Sequence, residues 1–210
     1  MKKTRILTLS ALALAIAGCA TMAMEENRAE THAKAQAMLK ASFKEVGQAK
    51  LDRLNQDEVQ KTCSEYHGDK VIPKEVAAKL EAAQMATIKY PAGDKYMGDW
   101  KLGERIAQTG VGMQYSDDPK NPAGGNCYAC HELTKAELAY GTIGPSLYNF
   151  GKIRGYTPAM QKYTYGKIYN SEAFAACSNM PRFGHAGILT EKQLQDVVAL
   201  LMDPASPVNK

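Results

Sequence analysis

Five residues, Cys127-Tyr128-Ala129-Cys130-His131, restrict this chain more than any other stretch. They spell C-x-x-C-H, the pattern of covalent haem attachment. Two thiols add across the two vinyl groups on one edge of a haem and form two thioethers. Two intervening residues on a turn of helix set both sulfurs along that edge. His131 then turns its imidazole toward the iron. Two other chemistries use paired cysteines. A zinc site needs a second C-x-x-C or a pair of histidines, and the sequence offers neither. A redox dithiol of the thioredoxin kind sits between a strand and a helix, whereas Pro122, Gly124 and Gly125 precede this motif. The expected cofactor is one covalently bound haem c.

Export is expected as well. Lys2, Lys3 and Arg5 form a positive end, and Ile6 to Ala17 is an apolar run. Twelve residues of helix fall short of the ~20 that span a bilayer, so residues 1–23 read as a secretory signal. Two endings are open. Ile16-Ala17-Gly18-Cys19 looks like a lipobox, with Cys19 lipidated at the new N-terminus; ordinary cleavage near Ala20 or Ala23 is the alternative. Either way the expected location is the periplasm. Without the three basic leader residues the formal net charge of +4 falls to +1. That balance carries no basic field for nucleic acid. Of five cysteines, Cys63 and Cys177 are left over, an even pair in an oxidising compartment. A disulfide is expected, with two unlinked thiols as the alternative. Such a bridge would tie the early chain to the loop just before Met180.

Residues 24–92 read as a helical extension and 93–210 as the haem domain. The extension is rich in Ala, Lys, Glu, Gln and Met, good helix formers. Leu39, Phe43 and Val46 follow helical spacing, and Leu51 and Leu54 continue it past Gly47. Met22, Met24 and Met38 are expected in core or tail, not as ligands. Cys63 to Asp69 is polar and ends in a turn; His67 within it is a possible ligand but reads as a surface residue. Pro73 suits the first turn of the next helix, with Val76, Leu80, Ala83 and Ile88 along one face. From Asp99, Trp100, Gly103, Ile106 and Ala107 recur at helical spacing, and Gly103 would let another helix cross closely. The partner is the last helix. Thr190 and Gln193 form a capping box, Leu194, Val197, Val198 and Leu201 an apolar stripe, and Pro204 a stop.

A first and a last helix crossing beside a haem resembles the class I cytochrome c plan, an all-α fold. The stretch from Gly144-Pro145 through Leu147 and Gly151 to Arg154 also resembles a segment of that family. The resemblance implies that the Pro145 carbonyl receives the Nδ1–H of His131, and that Arg154 faces a haem propionate. The sixth ligand is expected to be Met180, in Asn179-Met180-Pro181-Arg182-Phe183-Gly184, where Pro181 stiffens the loop. Met160 and His185 are the other candidates. With His131 and Met180 both on the iron, no open position would remain for oxygen, peroxide or substrate. Tyr156, Tyr163, Tyr165 and Tyr169 are expected to wall the haem pocket.

Tyr165-Gly166-Lys167-Ile168-Tyr169-Asn170, the Cys177 to Gly184 run, Gly187-Ile188-Leu189-Thr190 and Asp203 to Asn209 together resemble a narrower family. It is the X-subunit family of the sulfur-oxidation (Sox) cytochrome complex, and the likeness covers roughly residues 95–210. The resemblance implies a heterodimer with a larger SoxA-type cytochrome subunit. That complex joins thiosulfate oxidatively to a cysteine of a sulfur-carrier protein. The chemistry would lie on the partner, and this chain would pass electrons to an acceptor cytochrome c. A free-standing electron carrier is the alternative. A haem peroxidase, and a binding or anchoring arm in residues 24–92, are further readings.

Overall fold

The structure, a computed structural model, describes residues 29–66, 68 and 70–210. The expected leader, Cys19, Met22, Met24 and His67 lie outside the described residues. The chain divides into two compact units: residues up to Val46 with Lys50–Asn55, and Gly47–Ala49 with Gln56–Lys210. Among the described residues the regular structure is helical, with no β-sheet.

In the first unit, helix α1 spans 29–42 and a 3-10 turn spans Leu51–Leu54. Between them the Glu45 carboxylate accepts the Leu51 N–H. The spacing of Leu39, Phe43 and Val46 does not mark a core face. Helix α1 ends before Phe43, and Met38, Leu39, Phe43 and Val46 are all exposed.

The second unit contains α2 (Glu58–Glu65), α3 (Lys74–Met85), α4 (Trp100–Gln108), α5 (Phe150–Arg154), α6 (Pro158–Tyr169) and α7 (Glu191–Met202). Helices α2 and α3, grouped with the extension by sequence, thus share a compact unit with everything from residue 93 onward. Local chemistry starts the helices. Asp57 and Gln60 form a capping box on α2, and Thr190 and Gln193 form the expected one on α7. Pro73 stands just outside α3 as its N-cap, in extended backbone, rather than in the first turn. The α3 face also differs from its apolar reading. Ala83 is exposed, whereas Glu81 and Gln84 are half-buried. Their neighbours are backbone and amide groups of residues 170–176, which need polar partners, not methyl groups.

The core is built on α7. Eight of its twelve residues are buried, against the four-residue stripe expected from sequence. The reason is that α4, α5, α6 and the C-terminal turn Pro207–Asn209 all pack on it. Helix α4 crosses it most closely. A Cβ on Gly103 would run into the Asp196 carbonyl, and one on Gly98 into the Asp196 side chain and backbone. Asp196 is buried. Its carboxylate accepts the Asp99 N–H at 2.7 Å, where α4 begins, and also the Lys192 ammonium. The chain end is equally fixed. Asn209 accepts the N–H groups of Gly151 and Lys152, capping α5, whose own N-cap Asn149 gives no side-chain bond.

Gly103→Ala is expected to destabilise the protein by about 1–3 kcal/mol, because the new methyl group meets backbone that cannot turn away. A lower urea midpoint with an unchanged slope is the expected result.

Candidate haem-binding site

The C-x-x-C-H motif begins at Asn126, whose left-handed backbone (φ 47°) turns the chain into a single 3-10 turn, Cys127–Ala129. The N–H groups of Cys130 and His131 both return to the Cys127 carbonyl, at 3.1 and 2.9 Å. This turn is what sets the two sulfurs and the imidazole together. Cys127 and Cys130 are free, while Cys63 and Cys177 are joined in a disulfide.

The motif opens on a cavity of about 670 Å³, within the ~300–1,000 Å³ range of cofactor sites. Cys127, Cys130, His131, Pro145, Arg154 and Met180 all line it, so residues from three separate stretches meet there. Its walls include Leu133, Leu147, Phe150, Ile168, Phe183 and Leu201. Met160 and His185 are not among the lining residues. Met160 packs against the core instead, and His185 lies beside Arg182 and Asp57. Burial and the neighbouring guanidinium hold the His185 ring below its ordinary pKa.

His131 is oriented by two neighbours in the cavity wall. Its Nδ1 lies 2.7 Å from the Pro145 carbonyl. A carbonyl only accepts, so Nδ1 carries the proton and Nε2 keeps its lone pair. Gly144 lies flat against the ring, where any Cβ would strike the imidazole. Sequence reasoning quoted this glycine in a motif without assigning it that task. Arg154 is exposed at the cavity and forms no ion pair among the described residues. A second cation, Lys167, was missed. It lines the cavity, donates to the Ser171 carbonyl at 3.2 Å, and burial lowers its pKa.

Only one of the four expected tyrosine walls lines the cavity. Tyr163 shares a stripe of α6 with Thr164, Lys167 and Ile168, two adjacent pairs one helical turn apart. Tyr165 and Tyr169 stack on each other at 6.1 Å, with Tyr90 and Tyr96 beside Tyr165. Tyr156 lies against Gly151. Tyr148, not expected there, is a lining residue. Helical phase carried the signal for Tyr163; nothing local marked Tyr148.

At Met180, Ser171 is fully buried and its hydroxyl donates to the Met180 carbonyl at 2.5 Å. The Met180 N–H returns to the Ser178 hydroxyl at 3.2 Å.

The donor set fits a haem better than the competing chemistries. Burial pushes the Cys127 thiol up to about 12, the reverse of what a redox or nucleophilic cysteine needs. No group of three or more His, Cys, Asp or Glu among the described residues could hold a metal ion. What remains is an apolar slot with two free thiols, one tautomer-fixed imidazole and a thioether, and with cations at its edge.

Comparison with known proteins agrees. Residues 120–203 match the family model "Cytochrome c". An "Uncharacterized lipoprotein" of Aquifex aeolicus (strain VF5) is 41% identical over 159 residues, covering 74% of this chain and 73% of the relative. The chain carries a cytochrome c domain. The cytochrome carries a covalently bound haem c, whose iron supplies a reversible one-electron couple. Cys127 and Cys130 would hold that haem by thioethers, and His131 and Met180 would face its iron. The protein is an electron-transfer protein with an all-α class I cytochrome c fold.

Cys127→Ala combined with Cys130→Ala is expected to release the pigment to acid–acetone extraction. The wild-type chain should keep it through extraction and through a denaturing gel. Gly144→Ala should keep the haem attached but alter the visible spectrum, because the His131 ring must tilt.

Proposed function

We propose that this cytochrome is the small monohaem subunit of a sulfur-oxidation complex, equivalent to the Sox X subunit. Its partner would be a larger SoxA-type cytochrome. Joining thiosulfate to a carrier cysteine forms one sulfur–sulfur bond and releases two electrons. This chain would take those electrons one at a time and pass them to an acceptor cytochrome c. The substrate-handling residues would lie on the partner. The support is the likeness over roughly residues 95–210, carried by separate segments between Tyr165 and Asn209 that supply cavity lining (Lys167, Ile168, Met180) and the cap on α5 (Asn209).

One observation favours a lasting partner over a shuttle. Ile143 and Ile153 line the cavity and are both 73% exposed. Large aliphatic side chains at the mouth of a redox site are stabilised by a covering surface. A free-standing carrier is the second reading. It is favoured by Lys152, Arg154 and Lys162, exposed in a run from Leu138 to Ser171 that contains no Asp or Glu. Such a run suits transient electrostatic docking.

The lipobox ending at Cys19, together with the lipoprotein described above, supports a chain held by lipid at the outer face of a membrane, in the periplasm. Intact mass of the mature protein tests this: a chain beginning at unmodified residue 20 or later would refute the anchor.

Purification from thiosulfate-grown cells is expected to retain a larger haem subunit in a one-to-one complex, and deletion to stop thiosulfate oxidation. Recovery of the chain alone, with thiosulfate oxidation undiminished by deletion, would leave the free-carrier reading.

A further inference from the structure

We infer that the α2–α3 hairpin is a clamp that positions Met180, with Glu81 and Cys63 as its positioning residues; this rests on Met180 being the sixth ligand. The loop that carries Met180 has few holds of its own: the Met180 carbonyl accepts the Ser171 hydroxyl, and the Met180 side chain is only partly buried against the core. From Phe174 to Arg182 not one residue is buried, and none is helical. Segments with few buried apolar contacts open at low free energy. A thioether is also a neutral, weak donor, so its place depends on the backbone that presents it.

The hairpin supplies what the loop lacks. The Cys63–Cys177 disulfide fixes the loop three residues before Met180. Glu81 accepts the Ala176 N–H at 3.0 Å. Asp57, the N-cap of α2, pairs with Arg182 at 2.5 Å, two residues past Met180. At the root of the loop, Asn170 donates to the Gln84 side chain and to Thr87, at 3.0 and 2.9 Å. The methionine is thus bracketed on both sides in sequence by links to one hairpin. Glu172 adds an internal brace, accepting the Cys177 N–H at 2.7 Å and so holding the left-handed backbone of Cys177 (φ 60°).

The hairpin has little other reason to be where it is. Val59 is the one buried residue of α2 and Leu80 the one buried residue of α3. Its disulfide, its ion pair and its hydrogen bonds to the rest of the unit converge on residues 170–182. Geometry of this kind makes the hairpin the part that keeps the sixth position closed to small ligands.

Carbon monoxide uptake by the reduced holoprotein, together with the thioether-to-iron absorption band of the oxidised holoprotein, tests this. Met180→Ala sets the open-site reference. Glu81→Ala removes one hydrogen bond to a charged acceptor and is expected to speed uptake by about tenfold. Cys63→Ser with Cys177→Ser should speed it further and weaken the band, with haem content per chain unchanged. Glu81→Gln keeps an acceptor oxygen and should restore slow uptake. Gly103→Ala, which weakens the α4–α7 crossing and touches none of the links to the Met180 loop, should leave uptake slow despite its lower stability. If Glu81→Ala takes up carbon monoxide at the wild-type rate while keeping the full band, the clamp is overturned. If the wild-type protein lacks the band and matches Met180→Ala in uptake, Met180 ligation itself fails, a distinct result.

Discussion

The close crossing of α4 and α7 carries the rest of this molecule. Gly98 and Gly103 let two backbones meet at Asp196, with no side chain between them. The Asp196 carboxylate then holds the first N–H of the α4 entry from across the interface. A buried carboxylate is costly unless it is satisfied, and here it accepts from a backbone donor and an ammonium. Because α4 takes up so little room, α7 can be surrounded by α5, α6 and the C-terminal turn as well. The faces of α6 and α7 that remain, with Ile168, Val197 and Leu201, become cavity wall.

The cavity divides its labour between near and far residues. Two sulfurs and an imidazole come from one short turn, so their mutual placement is settled within five residues. The bond that orients the imidazole comes from Pro145, fourteen positions later, and the opposite side from Met180, about fifty positions later. Of the near residues, Cys127 and Cys130 would anchor the haem covalently. The far ones act by position alone, and each is fastened by polar bonds: Pro145 against a ring pressed on Gly144, Met180 beneath the buried Ser171 hydroxyl.

Two kinds of adhesion hold the second unit together. Around α7 it is apolar contact, with Leu194, Val198, Leu200 and Met202 buried. Around the Met180 loop it is a disulfide, the Asp57 and Glu81 carboxylates and the Gln84 amide reaching across from α2 and α3. Apolar burial scales with area and suits long helices. A short irregular loop offers little area but many unpaired N–H groups, so side-chain acceptors suit it better.

The cofactor, its attachment and the α7 capping box followed from sequence alone, because each is a local pattern whose chemistry closes within a few residues. Gly103 as a crossing point was legible for a related reason: a glycine inside an apolar helical stripe has few other uses. Tertiary structure alone decided that Tyr148 faces the cavity, why α3 shows Glu81 and Gln84 instead of Ala83 to its neighbour, and that Asn209 caps a helix nearly sixty residues before it. Those choices depend on what lies across a gap in space, and neither periodicity nor spacing records the identity of a partner that the chain reaches only after it has folded.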